Sequence, residues 1–192
     1  MKVVMFNGSP RKNGNTTQAL KLTETVLNEQ GIETEIIRIG GTGLHGCIAC
    51  YKCMENKDRR CGGIKDDPLN EYLGKMVEAH GIVIGTPTYF GNVSAEVKAL
   101  IDRCGLVSRM NGGLLSRKVG VALAVARRAG AVEAITSINN FYLINDVMIP
   151  GSMYWNFCIG LKPGDIQNDK EGLDTVKRTA ENAAWMIRKL TA

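Results

Sequence analysis

The stretch GCIACYKCMENKDRRC, residues 46–61, contains four of the six cysteines of the chain, with the spacing C-x2-C-x2-C-x7-C. Three thiolates at x2 steps can surround one face of a cubane cluster, and a fourth from farther along can complete its coordination. Ferredoxins use the same first spacings but then x3 and a proline, whereas here Gly62 follows the last cysteine. The spacing indicates a [4Fe–4S] cluster with four ligands: Cys47, Cys50, Cys53 and Cys61.

Three other uses of these thiols stay open. Four thiolates can bind zinc in a tetrahedron, although structural zinc sites more often pair two separated knuckles. The cysteines could instead be free of metal, or they could be redox-active themselves. Cys104, on a predicted helix, and Cys158, in a late irregular stretch, are expected to be small buried residues rather than ligands.

The loop GSPRKNGNTT, residues 8–17, follows the first apolar run and suits an anion such as phosphate. Its glycines permit close backbone approach, and the helix predicted from Asn15 presents free N–H groups and a positive dipole end. Five residues separate Gly8 from Gly14, and Asn15 replaces the lysine, so this is not a Walker loop. The side chains that could bind the anion are Ser9, Arg11, Thr16 and Thr17.

A second loop, GTPTYFGNVS at residues 85–94, follows another apolar run. Tyr89 and Phe90 are adjacent aromatic residues at the carboxyl end of a predicted strand, where a flat ring could bind. Backbone amides and Asn92 could form hydrogen bonds with the carbonyl groups and nitrogens of such a ring. In open parallel sheets, ligands bind at this edge, so both loops are expected to meet there.

The apolar runs that bring these loops together alternate with helical patterns along the whole chain. Such alternation predicts a parallel sheet with helices on both faces, in one domain of residues 1–192. The predicted strands are KVVMF, ETEIIRI, GIVIGTP, KVGVALAVA and VMIP, the last at residues 147–150. A cysteine-rich insertion at about residues 40–65 exceeds ordinary loop lengths, which favours a functional segment.

The predicted helices lie between these strands and after the last one. Asp66 or Asp67 is expected to cap the helix that contains Pro68 in its first turn, and Ser94 to cap the next. An irregular stretch is predicted at residues 151–168. The last helix is predicted from about Asp169 to Leu190, where apolar residues recur near helical spacing.

Together, GSPRKNGNT and GTPTYFGNVSAEVKALIDR resemble the NAD(P)H-dependent FMN reductase superfamily, which has the flavodoxin-like fold of a doubly wound, five-stranded parallel sheet. With the cysteine segment, the chain looks most like the iron-sulfur flavoproteins within that group. The resemblance implies that the first loop binds the FMN phosphate through Ser9, Arg11, Asn13, Asn15, Thr16 and Thr17. The loop along the isoalloxazine ring would be Pro87, Thr88, Tyr89, Phe90 and Asn92. The loop at residues 126–130 would reach the other edge of the ring through Arg127, Arg128 and Gly130.

Composition excludes some classes of function. The net charge of +5 suits phosphate-bearing ligands, but no Lys/Arg run interleaved with aromatic residues indicates nucleic-acid binding. The apolar run near the N-terminus is too short for a signal peptide, and none is long enough for a membrane span. A cytoplasmic protein is expected, in which the thiols would stay reduced.

The resemblance predicts an FMN-dependent oxidoreductase that passes electrons between FMN and a [4Fe–4S] cluster. The donor would be NAD(P)H or ferredoxin, and the acceptor a small molecule or a protein. No catalytic side chain is nominated, because the flavin receives the hydride itself. Two alternatives stay open: a cluster-free NAD(P)H-dependent FMN or quinone reductase, and a non-catalytic FMN electron carrier. A homodimer or homotetramer is expected, since a lone unit leaves one side of the flavin open.

Overall fold

The structure, a computed structural model, describes residues 1–191 and is built around a five-stranded parallel sheet. The strands are β1 (Lys2–Asn7), β2 (Glu33–Arg38), β3 (Gly81–Pro87), β4 (Val119–Ala126) and β5 (Phe157–Ile159). They lie in the order β2-β1-β3-β4-β5, which is the order of flavodoxin-like sheets. This confirms the predicted α/β class.

Helices cover both faces of the sheet. They are α1 (Asn15–Glu29), α2 (Lys52–Asn56), α3 (Leu69–Glu78), α4 (Ala95–Met110), α5 (Ala131–Ile144) and α6 (Lys170–Thr191), with a 3-10 helix at Asp165–Asn168. The apolar sides of α1 and α6 form one core with the sheet, and those of α3, α4 and α5 form the other. Within residues 1–191, no helix combines the length and apolar character that crossing a membrane requires.

The central strands are apolar throughout because helices cover both of their faces. Every residue of β4 is buried, as is every residue of β3 except Pro87. β1 pairs with β2 on one side and β3 on the other, so that Asn7 lies opposite both Arg38 and Gly85. The carboxyl ends of β1 and β3 therefore meet at one point of the sheet edge, as their loops require.

The prediction that VMIP forms the fifth strand is wrong. Met148 makes only an isolated bridge with Val119, and β5 lies at Phe157–Ile159, paired with the end of β4. Pro150 has no backbone N–H to continue a ladder. The chain therefore leaves the sheet there and rejoins it within the stretch predicted to be irregular.

The cysteine-rich insertion at about residues 40–65, called the cysteine segment below, contains the short helix α2, which the sequence pattern did not predict. After it, the N-cap of α3 is Pro68, so the prediction that Asp66 or Asp67 caps this helix is wrong. Asp67 lies one residue before the cap, and its Oδ1 accepts a hydrogen bond from Leu69 N at 3.4 Å. Pro68 lies immediately before the first residue of α3 instead of within its first turn. Ser94 caps α4 as predicted, because its hydroxyl accepts a hydrogen bond from Val97 N at 3.5 Å.

Candidate functional site

A cavity of about 140 Å³ lies at the carboxyl edge of the sheet, where the loops after β1, β3, β4 and β5 converge. Eight of the residues expected to bind FMN line it: Ser9, Arg11, Asn15, Thr16, Pro87, Thr88, Tyr89 and Arg127. Gly14, Val125, Gly160 and Leu161 complete the wall. Six expected residues do not line it: Asn13, Thr17, Phe90, Asn92, Arg128 and Gly130. The lining therefore carries two arginines and no carboxylate.

The first loop is held in shape from the end of β1. Asn7 Oδ1 accepts a hydrogen bond from Ser9 N at 3.0 Å, and Asn7 Nδ2 donates to Thr17 Oγ1 at 2.9 Å. Ser9 Oγ accepts from Arg11 N at 3.2 Å, so its hydroxyl hydrogen is left for a ligand. Thr17 thus holds the loop together, whereas Ser9 is available to bind.

Asn15 joins the first loop to the loop after β5. Its Nδ2 donates to Lys162 O at 2.9 Å, and its Oδ1 accepts from Gly164 N at 2.8 Å. A Cβ atom at Gly160 would lie 2.7 Å from Asn15 Nδ2, which is closer than side chains pack. The side chain of Asn15 therefore ties two walls of the cavity together, and its backbone N–H is left for a ligand.

The loop after β3 contains a tight turn. Tyr89 and Asn92 exchange backbone hydrogen bonds of 2.9 and 3.0 Å, with φ of 48° at Phe90 and 72° at Gly91 between them. Two positive φ values are typical of a type I′ turn. Asn92 Oδ1 accepts from Val93 N and from Ser137 Oγ, so Asn92 stabilises the turn. The Phe90 ring, at the tip of this turn, is fully exposed.

Thr88 supplies an unused polar atom. Its backbone N–H donates to Val125 O at 2.8 Å, which fixes the residue beside β4. Its Oγ1 is buried and has no hydrogen-bond partner among residues 1–191. Because buried polar atoms are normally paired, this hydroxyl indicates that the cavity receives a polar ligand.

The loop after β4 reaches the cavity through one of its two arginines. Arg127 lines the cavity, whereas Arg128 does not. Gly130 adopts φ of 87°, and a Cβ atom there would lie 2.8 Å from Gly91 Cα. Gly130 therefore allows the loops after β3 and β4 to pack closely.

All four clustered cysteines line a second, small cavity of about 20 Å³. Its other walls include apolar residues of the same segment and of α4, among them Ile48, Ile64, Leu106 and Val107. Cys47 and Cys50 are exposed, Cys53 is buried and Cys61 is half-buried. Within residues 1–191, no group of three or more His, Cys, Asp or Glu residues is arranged to hold a metal ion. The cysteines thus fit a cluster in number and kind of donor, but their sulfur atoms are not arranged around a metal.

The cysteine segment is anchored to α3 and α4. Asn70 holds both backbone groups of Cys61, accepting from its N–H at 2.7 Å and donating to its carbonyl oxygen at 3.1 Å. Asn111 Nδ2 donates to Cys53 O at 3.1 Å. These bonds fix two of the four cysteines, while the exposed pair lies in the outer part of the segment.

The environments of Cys53 and Cys61 shift their pKa values in opposite directions. Burial and the neighbouring thiol of Cys61 raise the pKa of Cys53. Burial also disfavours the Cys61 thiolate, but the Arg103 guanidinium and the backbone N–H groups of Gly63 and Ile64 outweigh it and lower the pKa of Cys61. Cys61 is therefore placed to carry negative charge.

Cys104 and Cys158 lie apart from this cavity and are buried, as expected. Burial and the nearby Asp169 carboxylate raise the pKa of Cys158 to about 12. Burial raises the pKa of Cys104 as well. Both residues pack as small apolar side chains in the helix–sheet cores.

Comparisons with known proteins agree with this architecture. An iron-sulfur flavoprotein from Methanocaldococcus jannaschii is 38% identical over 98% of both chains, and one from Methanosarcina thermophila is 33% identical over 94% of this chain and 92% of its own. Among solved structures, RosB with a bound riboflavin-phosphate intermediate superimposes with a TM-score of 0.75 at 18% identity, covering all of this chain and 80% of RosB.

A WrbA-like flavodoxin from Agrobacterium tumefaciens superimposes with a TM-score of 0.66 at 13% identity, over 98% of this chain and 97% of its own. These two structural similarities establish the flavodoxin-like fold. The sequence pattern of the family described as NADPH-dependent FMN reductase matches residues 1–161. The chain belongs to the NADPH-dependent FMN reductase family of flavodoxin-like oxidoreductases.

Proposed function

We propose that this chain binds FMN in the cavity at the carboxyl edge of the sheet and transfers electrons between FMN and a [4Fe–4S] cluster held by its four clustered cysteines. The observation that carries the flavin assignment is the meeting of four loops around one cavity that contains two arginines and the unpaired Thr88 hydroxyl. The membership of the family and the names of its relatives support the same assignment.

The phosphate of FMN would bind at the start of α1. Gly14 precedes this helix and has no side chain to cap it, so the first backbone N–H groups are left for an anion. Ser9 and Thr16 add hydroxyl donors. Arg11 Nη1 makes only a long bond of 3.4 Å to Leu161 O, which leaves most of its guanidinium for the phosphate.

The flavin ring would lie against the loop after β3. Pro87 and Tyr89 offer flat surfaces, and Thr88 Oγ1 offers a donor or an acceptor to a polar atom of the ring. Arg127, which lines the cavity from the loop after β4, would place positive charge beside the ring and favour its reduced, anionic form. Asn92 and Gly130 act indirectly, by shaping the loops.

The backbone of the cysteine segment is suited to binding a negatively charged iron–sulfur cluster. Ala49 and Tyr51 adopt positive φ values of 50° and 55° on either side of Cys50. Alternation between left-handed and other conformations turns successive N–H groups towards one concave side, an arrangement used at many iron–sulfur sites. When bound, FMN accepts two electrons and releases them singly, and the cluster carries one electron at a time.

The decisive experiment is anaerobic purification followed by iron and sulfide analysis and by EPR after dithionite reduction. We expect about four irons per chain and the signal of a reduced cluster. Cys50→Ala should remove iron and signal while FMN binding survives, because the flavin cavity shares no residue with the cysteine cavity. Cys104→Ala, outside both cavities, is the matched control. Iron-reconstituted protein that binds flavin but no iron would contradict the cluster assignment.

A cluster-free NAD(P)H-dependent FMN or quinone reductase is the second candidate function. The observation that favours it is the arrangement of the sulfur atoms, which do not surround a metal position. Zinc binding by the same cysteines predicts a stoichiometric amount of zinc instead of iron, and metal analysis of the same sample distinguishes the three states.

The electron donor is proposed to be NAD(P)H or ferredoxin. Stopped-flow mixing of FMN-loaded protein with NADH, NADPH or reduced ferredoxin tests this, with bleaching of oxidised flavin as the signal. Bleaching by ferredoxin alone would indicate a carrier that exchanges electrons with proteins. Release of the chromophore by heat and its chromatography should give FMN, and recovery of FAD would contradict the flavin assignment.

A homodimer or homotetramer in the cytoplasm is proposed for the assembled protein. The segment after Pro150 carries three large side chains that are at least half-exposed: Met153 at 63%, Tyr154 at 50% and Trp155 at 56%. Contiguous exposed apolar groups of this kind are typical of protein interfaces. Light scattering at micromolar concentration should give at least a dimer, and a monomer would contradict the proposal.

A further inference from the structure

Arg103 is a buried cation on α4 that faces the cysteine segment. Its side chain is 1% exposed and pairs with Asp67, whose side chain is 3% exposed. Burying such a pair removes two charges from water, and apolar residues of similar volume are often equally stabilising. Stability alone therefore does not account for an ion pair at this position.

The guanidinium of Arg103 binds both ends of the cysteine segment. Nη1 donates to Asp67 and, at 3.1 Å, to His45 O, two residues before the first cysteine. Nη2 donates to Ile64 O at 3.4 Å and to Cys61 Sγ at 3.3 Å. The Arg103 side chain thus holds the two ends of the cysteine segment together and directs one N–H donor at a cysteine sulfur.

The donor to sulfur is the feature that an apolar pair could not replace. Hydrogen bonds to cysteine sulfur help to set the reduction potentials of iron–sulfur clusters, because they stabilise the more negative, reduced state. The Asp67 carboxylate balances the charge of the guanidinium. The effect at Cys61 therefore comes from a directed N–H group more than from net positive charge.

We propose that Arg103 is a positioning residue that holds Cys61 by an N–H···S hydrogen bond and thereby raises the reduction potential of the cluster bound by the four cysteines. This inference rests on the proposed function, because it needs the cluster to be present. In this role Arg103 helps to set the direction of electron flow, in addition to holding the two ends of the segment together.

The test is an anaerobic redox titration of iron-loaded protein, with the cluster followed by EPR and the flavin by absorbance. The double variant Arg103→Met/Asp67→Leu removes the hydrogen bond without changing net charge or leaving a buried charge unpaired. Arg103→Lys keeps the positive charge but lacks the planar guanidinium whose two nitrogens donate to separate partners. Arg109→Met, an exposed arginine on the same helix, is the matched control.

At the wild-type midpoint potential, we expect at least a tenfold lower ratio of reduced to oxidised cluster in both Arg103 variants, which is about 59 mV for one electron. The flavin midpoint and the Arg109→Met protein should match the wild type. Full iron content with an unchanged cluster midpoint would overturn the inference. Loss of iron from both Arg103 variants would also overturn it, leaving Arg103 with a purely structural role. Wild-type protein without iron would instead refute the proposed function.

Discussion

Asn15 and Gly164 are joined by a hydrogen bond of 2.8 Å, from the backbone N–H of Gly164 to the side-chain oxygen of Asn15. With the bond from Asn15 Nδ2 to Lys162, this contact links the first turn of α1 to the loop after β5. Two walls of the proposed flavin cavity that are distant in the sequence therefore depend on one amide side chain.

Replacing Asn15 with alanine should weaken FMN binding by roughly tenfold. The substitution removes two hydrogen bonds of about 1 kcal/mol each and frees the loop that contains Gly160 and Leu161. Titration of apoprotein with FMN, followed by fluorescence quenching, measures the change. Gln18→Ala is the control, because Gln18 also bridges to the 3-10 helix, through Gln167 at 3.2 Å, but lies outside the cavity. Equal effects of the two substitutions would contradict the prediction.

Replacing Arg11 with alanine should weaken the binding of FMN by tenfold or more and leave riboflavin binding nearly unchanged. A hydrogen bond to a charged group contributes roughly 1.5–3 kcal/mol, and riboflavin lacks the phosphate that would receive it. Isothermal titration with both ligands gives the ratio of affinities. Lys12→Ala removes the adjacent positive charge, which does not line the cavity, and should leave that ratio intact. A parallel loss of affinity for riboflavin would place Arg11 away from the phosphate.

Replacing Phe90 with asparagine should raise the free energy of unfolding by about 1 kcal/mol. Phe90 adopts a left-handed φ of 48° that is unfavourable for a bulky residue, whereas Asn-Gly is the preferred pair for this turn. Phe90→Ala removes the exposed ring without relieving the backbone and serves as the control. Urea unfolding measures both variants. A similar gain in Phe90→Ala would show that exposure of the ring, rather than backbone strain, is the cause.

Replacing Asp67 with asparagine should lower the free energy of unfolding by about 3 kcal/mol at pH 7, because the buried Arg103 loses its partner. Burial opposes ionisation of Asp67, but Arg103 and the His45 N–H outweigh it and lower the pKa of the carboxyl group. The stabilisation is therefore complete above the unfolded-state value of about 3.9 and is lost as pH falls through the lower folded-state pKa.

Urea unfolding of iron-free wild type and Asp67→Asn at several pH values between 7 and 3 tests this dependence. The difference between the two proteins should be constant near neutral pH and shrink below about pH 4, where Asp67 of the unfolded wild type takes up a proton while Asp67 of the folded protein is still ionised. Glu71→Gln, at an exposed position of α3, is the control. A difference that is equally large at every pH would contradict the assignment of a charged Asp67.

The sequence determined the sheet and the position of its binding edge. Nearly uninterrupted apolar runs such as KVVMF and KVGVALAVA are typical of strands buried on both faces, and their alternation with helical patterns was enough to predict them. The loops that follow β1 and β3 carry glycines, hydroxyls and aromatic residues, so the binding edge could be assigned as well. The fifth strand was placed wrongly because VMI and FCI are both runs of three apolar residues, and only the pairing with the end of β4 identifies Phe157–Ile159 as the strand.

Tertiary structure alone decided which residues reach the cavity. Gly160 and Leu161 carry no chemical signal, and they line it because β5 lies beside β4. Among the expected ligands, Asn92 and Thr17 use their polar atoms to hold loops, a choice that depends on partners elsewhere in the fold. Hydrogen bonds between loops cannot be assigned before the loops are placed.

For Arg103 as well, the sequence predicts one property and only the tertiary structure shows the other. Its position, three residues after Leu100 and four before Val107, places a cation on the apolar face of a predicted helix, and that spacing was an available signal. The sequence could not identify its partners, since Asp67 and Cys61 are 36 and 42 residues away. Local periodicity specifies which face of a helix is buried, but only the packing of α4 against the cysteine segment decides what that face contacts.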